Sequence, residues 1–267
     1  MLRVGRITKS NKSPKFEGFV PIVVMTPSSK YGDISPYSLK DPKGRIIENV
    51  YQFSKLYKEV PKSKQTYSQW DRKVIWEHPA EVHLRPKVES YSRPVESDQR
   101  PNVENDTFEI TDEYWAWREK GCNTKYAVRY PVGYHHKKEC IGSISEEDLE
   151  ECATGTEHKI GCVTALSWIE ARKKIYLPLY EEAVKRHKTF KVLLEMLRKG
   201  KNLLIIEVDG PHQESLQYYI DKYGVAEDFI EDDTMLVTDE SIDIMLNDNK
   251  HSFGHGYCLA KALRDEL

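Results

Sequence analysis

Between about residue 60 and residue 160 the chain loses hydrophobic periodicity, while the stretches on either side keep it. Pro61, Pro79, Pro86, Pro94, Pro101 and Pro131 punctuate this middle part, and each breaks the backbone pattern a long helix or central strand would need. Trp and Tyr remain frequent there, so the stretch has material to pack. Only 110–120, around Tyr114, Trp115 and Trp117, reads as regular, and 85–106 is the most linker-like part. A chain of this pattern is expected to gather one core from two separated segments, 1–58 and 163–267. Residues 59–162 then form a long irregular insertion or small subdomain.

The flanks read as mixed helix and strand. Residues 19–26 are a short β-branched run expected as a buried strand, and Leu203 to Val208 is the cleanest strand in the chain. Met1 to Pro14 reads as basic and polar. From Ile47 to Lys58 the pattern is helical, with Val50, Phe53 and Tyr57 on one side and Glu48, Gln52 and Lys55 on the other. Helices are expected over Val163 to Ile175, Leu177 to His187 (with Pro178 in its first turn), Phe190 to Arg198 before Gly200, 213–223, Ile242 to Leu246, and from Tyr257 onward. Met235 to Val237 suits a short strand. The fold class expected is α+β: a mainly helical core with a small sheet.

Composition narrows the function classes. Of 267 residues, 40 are Lys or Arg and 43 are Asp or Glu, a net charge of −3 that excludes a general polyanion binder and leaves room for local basic patches. No run approaches the ~18 apolar residues a membrane span needs, so no membrane partner is expected. Five scattered Cys and a start without an apolar signal stretch point to reduced thiols in a cytoplasmic protein. Arg264-Asp265-Glu266-Leu267 resembles a retrieval tail and is read as a charged terminus.

Five constellations could carry chemistry. Glu48, Gln52 and Lys55 put a carboxylate, an amide and an ammonium on one helix face, able to hold a sugar or polarise a leaving group, or simply to face water. Glu207, Asp209 and His212 leave the best strand through a tight turn, either as a ligand site or as a polar strand exit. Gly254-His255-Gly256 precedes a helix, where glycines and free amides favour a phosphate, unless it is an ordinary loop. Cys122, His135, His136, Cys140, Cys152, His158 and Cys162 lack the tight spacing of a zinc site, so no metal is expected. Residues 125–138 interleave Lys125, Arg129, His135, His136, Lys137 and Lys138 with Tyr126, Tyr130 and Tyr134, a pattern that can grip single-stranded nucleic acid or be a solvated loop.

The order of several segments resembles the NADAR superfamily. Ser35-Pro36-Tyr37, Gly44-Arg45 and Glu48-Asn49-Val50-Tyr51-Gln52 resemble its opening loop, glycine turn and first helix. Trp168, Lys173-Lys174, Phe190 to Leu197, Gly200 and Leu203 to Glu207 follow in its order, and Gly254 to Leu263 is similar to its closing helix. Asn49 stands where that family usually has His, its Asp-x-x-Trp-Gly is not found, and the closing segment lacks its Asn.

The resemblance, over roughly 30–58 and 163–263, implies one α+β domain that recognises ribosyl or ADP-ribosyl groups and hydrolyses an N-glycosidic bond, with no metal and no cofactor. Taken with the constellations above, Glu48, Lys55, Glu207 and Asp209 are nominated for catalysis. Tyr31, Tyr37, Tyr51, Gln52, Trp168, Gly254, His255 and Gly256 are nominated for binding. Such a reaction passes through an oxocarbenium-like state that a carboxylate stabilises, while a cation assists the leaving base and aromatic rings stack on it. The alternative expectation is a non-enzymatic nucleic-acid-binding protein that uses residues 125–138.

Overall fold

The computed structural model describes residues 1–7, 13–57, 59–60, 64–79, 83–84, 87–88, 108–109, 112–152 and 165–267. In chain order the elements used below are β1 (Leu2–Arg6), β2 (Phe19–Val23), α1 (Ile47–Ser54), β3 (Lys55–Tyr57), β4 (Thr66–Tyr67), β5 (Val74–Glu77), α2 (Asp112–Cys122), β6 (Ala127–Tyr130) and β7 (Cys140–Ser143). They continue with α3 (Glu146–Cys152), α4 (Trp168–Ala171), α5 (Leu177–Lys185), α6 (Lys188–Arg198), β8 (Asn202–Glu207), α7 (Leu216–Tyr223), β9 (Thr234–Leu236), α8 (Asp239–Asn247) and α9 (His255–Asp265). The fold is α+β, as the sequence pattern predicts.

The chain divides into two units, Met1–Leu39 with Leu179–Leu267, and Lys40–Pro178. These boundaries differ from the expected ones at 58 and 163, because α1 packs on β6 and α2 and so lies with the middle of the chain.

The first unit is built on a four-stranded sheet in the order β9-β1-β8-β2. β8 is central and parallel to both neighbours: Leu2 pairs with Leu203 through to Arg6 with Glu207, and Asn202 pairs with Phe19 through to Ile206 with Val23. All of Leu203, Leu204, Ile205 and Ile206 are buried, the pattern of a strand covered on both faces. Helices α6 and α9 pack against it. Met1 to Pro14 reads in sequence as basic and polar, yet its first residues form β1. Leu2 and Val4 are buried, and Arg3 joins them because its guanidinium lies 3.9 Å from the Phe16 ring centroid and donates to Thr234 Oγ1 at 2.8 Å. Two apolar residues in five were too faint a pattern to announce a strand.

The second unit holds the β4–β5–β6 sheet, with β5 and β6 parallel, and the antiparallel β3–β7 pair. Phe53, Leu56, Ile75, Tyr114, Trp117, Val128 and Ile141 form its core. Helix α1 has no side-chain cap and only eight residues, so packing rather than local propensity holds it. All eight residues are buried, which corrects the expectation that its Glu48 face is solvated. Asn49 explains part of this. Its Nδ2 donates to the carbonyls of Thr124 and Tyr126 at 3.2 and 3.1 Å, and its Oδ1 accepts from the Val128 amide at 2.7 Å. One amide thereby fixes the start of β6. Asn49→Ala is expected to destabilise the protein by about 3 kcal/mol, because one buried and two partly buried backbone groups lose their partner; urea unfolding monitored by Trp fluorescence checks it.

The helix expected from Val163 begins at Trp168 instead, where Ser167 and Glu170 form a capping box. It runs without a break through a π segment at Arg172–Tyr176 into α5. Pro178 has no amide hydrogen to give, and the wider turn just before it lets the Leu177 amide bond the Arg172 carbonyl. Most of the linker-like stretch 85–106 lies outside the described residues.

Candidate functional site

In the second unit, α1 carries Glu48 and Gln52 on successive turns, and the chain leaves the helix at Lys55. Gln52 Nε2 donates to Glu48 Oε1 at 2.7 Å, and Lys55 Nζ donates to Gln52 Oε1 at 2.7 Å. The amide thus links the carboxylate to the ammonium with both of its ends used in the correct sense. Glu48 is only 2% exposed and Lys55 8%. Aromatic rings stand against the cation: Lys55 Nζ is 4.8 Å from the Tyr51 centroid and 5.8 Å from that of Trp168. Trp168 is the partly exposed member of the group.

Five expected residues, Glu48, Tyr51, Gln52, Lys55 and Trp168, therefore meet in one cluster. Two that the sequence reading passed over complete it. The Arg172 guanidinium lies 5.2 Å from the Trp168 centroid, and the Tyr176 ring lies 4.5 Å from that of Tyr51. Their signal was the four-residue spacing 168, 172, 176, which keeps side chains on one helical face. Lys173 and Lys174, singled out in the sequence, are exposed.

The remaining expected site residues belong to the first unit. Tyr31 is partly exposed beside Lys30, and Tyr37 follows a turn in which its amide donates to Ser35 Oγ at 3.3 Å. Glu207, at the end of β8, is fully buried against the start of α9. A Cβ on Gly254 would stand 2.1 Å from Glu207 Oε2, and one on Gly256 would stand 2.6 Å from Glu207 Oε1. The room that both glycines leave is filled by the protein's own carboxylate, an anion well placed at a helix N-terminus. His255 Nε2 lies 2.6 Å from the Val24 carbonyl, to which it can only donate, and Nδ1 lies 3.5 Å from Glu207 Oε2. Asp209 and His212 lie beyond this point, on the wall of a separate cavity in the same unit.

The second unit also contains a cavity of about 420 Å³ lined by Arg45, Arg118, Trp115, Cys122 and Glu146 among others. Arg45 donates to Glu146 at 2.5 and 2.9 Å and to Asp41 at 2.7 Å, and Arg118 donates to Glu146 at 3.1 Å. Burial pushes the Glu146 carboxyl up, but the hydrogen bonds and charges of the two arginines outweigh it and hold it at about 2. A carboxyl depressed in the folded state stabilises above its ordinary value near 4.5 and stops doing so as pH falls through about 2. Stability of the wild type is therefore expected to fall between these values more steeply than that of Glu146→Gln, measured by denaturant titration at each pH.

The basic run 125–138 forms an aromatic surface with two tryptophans from outside it. The Trp76 ring stacks on Tyr134 at 5.9 Å and meets Tyr130 at 5.0 Å, Trp70 meets Trp76 at 5.5 Å, and Lys137 Nζ lies 3.9 Å from the Tyr134 centroid. Trp70 is 63% exposed. Among the described residues no group of His, Cys, Asp and Glu is placed to hold a metal; Cys122 and Cys140 are buried free thiols, His158 and Cys162 lie outside those residues, and so does the side chain of Cys152. None of the described helices is long and apolar enough to cross a membrane. No protein-family model, no curated protein and no solved structure matches this chain.

Proposed function

We propose that the protein is an N-glycosidase that hydrolyses the bond between a ribosyl or ADP-ribosyl group and a nucleobase or other small nitrogen compound. The observation that supports this most is the buried Glu48–Gln52–Lys55 chain beside Tyr51 and Trp168. Charges held away from water act more strongly on a developing cation than they would at a surface. Glu48 stabilises positive charge at the anomeric carbon and takes a proton from the attacking water, whose oxygen bonds to that carbon. The carbon–nitrogen bond breaks, and the departing nitrogen takes a proton from Lys55. Gln52 keeps the two groups apart and aligned, and the partly exposed ring of Trp168 offers a face to the base. Incubating the full chain with ribosylated and ADP-ribosylated nucleobases and separating the products is the test. Release of the free base is expected; an intact substrate in every case would overturn the reading.

A second reading is supported by the surface of Trp70, Trp76, Tyr130 and Tyr134 with Lys137: binding of single-stranded nucleic acid without turnover. Bases stack on exposed aromatic rings while cations meet phosphate, and such binding weakens steeply with salt. Quenching of Trp fluorescence by a single-stranded oligonucleotide, lost in Trp70→Ala and at high salt, would favour it.

A further inference from the structure

The first unit has a cavity of about 280 Å³ at the point where two parallel strands end. Arg6 closes β1 and is paired in register with Glu207, which closes β8. The chain then turns through Asp209-Gly210-Pro211-His212 over the end of β1. A Cβ on Gly210 would stand 2.7 Å from the Gly5 carbonyl oxygen, so only a glycine lets the two strand exits approach this closely. Tyr219 of α7, Met245 of α8 and the Lys250–Ser252 loop complete the wall.

This wall gathers nitrogen donors from three separate stretches of chain. Arg6 and Lys250 bring fixed positive charge, and His212 and His251 bring imidazoles. His251 is held in place from behind: its Nδ1 lies 2.7 Å from Oδ2 of Asp248, a fully buried carboxylate that also accepts from Tyr218, Tyr219 and Tyr223 at 2.5, 3.2 and 3.2 Å. Burial pushes the Asp248 carboxyl up, but its hydrogen bonds from His251 and Tyr218 outweigh this and keep it well below the usual range, as an anion that orients the ring. His212 has carboxylates at a distance, Asp233 at 3.9 Å and Glu214 at 3.8 Å. Its Nδ1 is buried and has no hydrogen-bond partner among the described residues. Buried polar groups are nearly always satisfied, and an orphan on a residue of the cavity wall points to something that enters it.

We infer that this cavity binds a small phosphate monoester, independently of the Glu48 cluster. A phosphate dianion presents enough acceptor oxygens for guanidinium, ammonium and imidazole donors arriving from different sides, whereas a carboxylate presents two. Asp209, the one carboxylate on the wall, accepts from a hydroxyl at the other end of the ligand and fixes its direction. The volume lies just below the ~300–1,000 Å³ usual for small-molecule sites, which restricts the ligand to a few carbon atoms beyond the phosphate.

Titration calorimetry of the full chain with glycerol 3-phosphate, inorganic phosphate, glycerate and glycerol tests this. Glycerol 3-phosphate is expected to bind, inorganic phosphate more weakly, and glycerate and glycerol at least about tenfold more weakly than the phosphate ester, the loss of one good charge-assisted contact. Lys250→Gln changes an exposed residue and is expected to weaken the phosphate ester about tenfold without lowering the melting temperature. His212→Asn gives a second reading of the same wall should Lys250 act only at the rim. Failure of both phosphates to bind, equal binding of glycerate, or unchanged affinity in both variants would overturn the inference.

Discussion

Glu48→Gln is expected to abolish release of the free base while the protein remains folded. The substitution keeps the shape of the side chain and an oxygen that can accept from Gln52 Nε2, now 2.7 Å away, but removes the negative charge and the ability to take a proton from water. Loss of a positioned base and of charge stabilisation together corresponds to at least about a thousandfold in turnover. Because Glu48 is buried, the change also has a structural price of its own: Gln52, Lys55 and the new amide must share one fewer charge. A shift of about 1–2 kcal/mol in unfolding is expected, in either direction, since a buried charge is costly even when it is hydrogen-bonded. Lys55→Met separates the roles. It leaves the carboxylate in place and removes the cation, so turnover should fall most for substrates whose departing nitrogen is most basic. Equal turnover in wild type and Glu48→Gln would remove Glu48 from the chemistry.

The sequence announced this cluster better than it announced its surroundings. Helical spacing alone put Glu48, Gln52 and Lys55 on one side, and they do form a continuous hydrogen-bonded chain. Spacing could not tell whether that side met water, because burial of a short helix is decided by what packs over it; here Tyr176 and Trp168 come from more than a hundred residues away. The same limit hid Arg172, whose position depends on a π turn just before Pro178. β8 was plain because a continuous apolar run of this length between turn signals has few other uses, whereas β1 offered only Leu2 and Val4 and is defined by its partners on both sides. Residues 60–160 were read as irregular outside 110–120, yet β5 and β6 within them share a core with α2 and Phe53. Their strands are four residues long, too short for periodicity to register. Trp70 and Trp76 were not connected with Tyr130 and Tyr134 for the related reason that the parallel pairing of β5 with β6 is a long-range contact.

Gly256→Val should unfold the first unit far more readily than any surface change. The glycine pair at 254 and 256 looked in sequence like a place for a ligand's phosphate, and the structure puts Glu207 against it. A valine at 256 would bring its Cβ to 2.6 Å from Glu207 Oε1 and 2.8 Å from the carboxyl carbon, with two methyl groups still to place. Neither side can retreat easily, because Glu207 is fully buried at the end of the central strand and α9 is packed against that strand through Leu259 and its neighbours. Overpacking of this kind, together with a displaced buried carboxylate, is expected to cost on the order of 3–5 kcal/mol. A clash with one named side chain has a signature that general disruption lacks. Shortening that side chain in Glu207→Ala costs stability by itself, since His255 loses its carboxylate 3.5 Å away, but the double variant Glu207→Ala with Gly256→Val should be markedly more stable than the sum of the two losses predicts. Denaturant unfolding of the four proteins of this cycle gives the coupling directly. A coupling near zero would mean that the contact with Glu207 is not what forbids a side chain at 256.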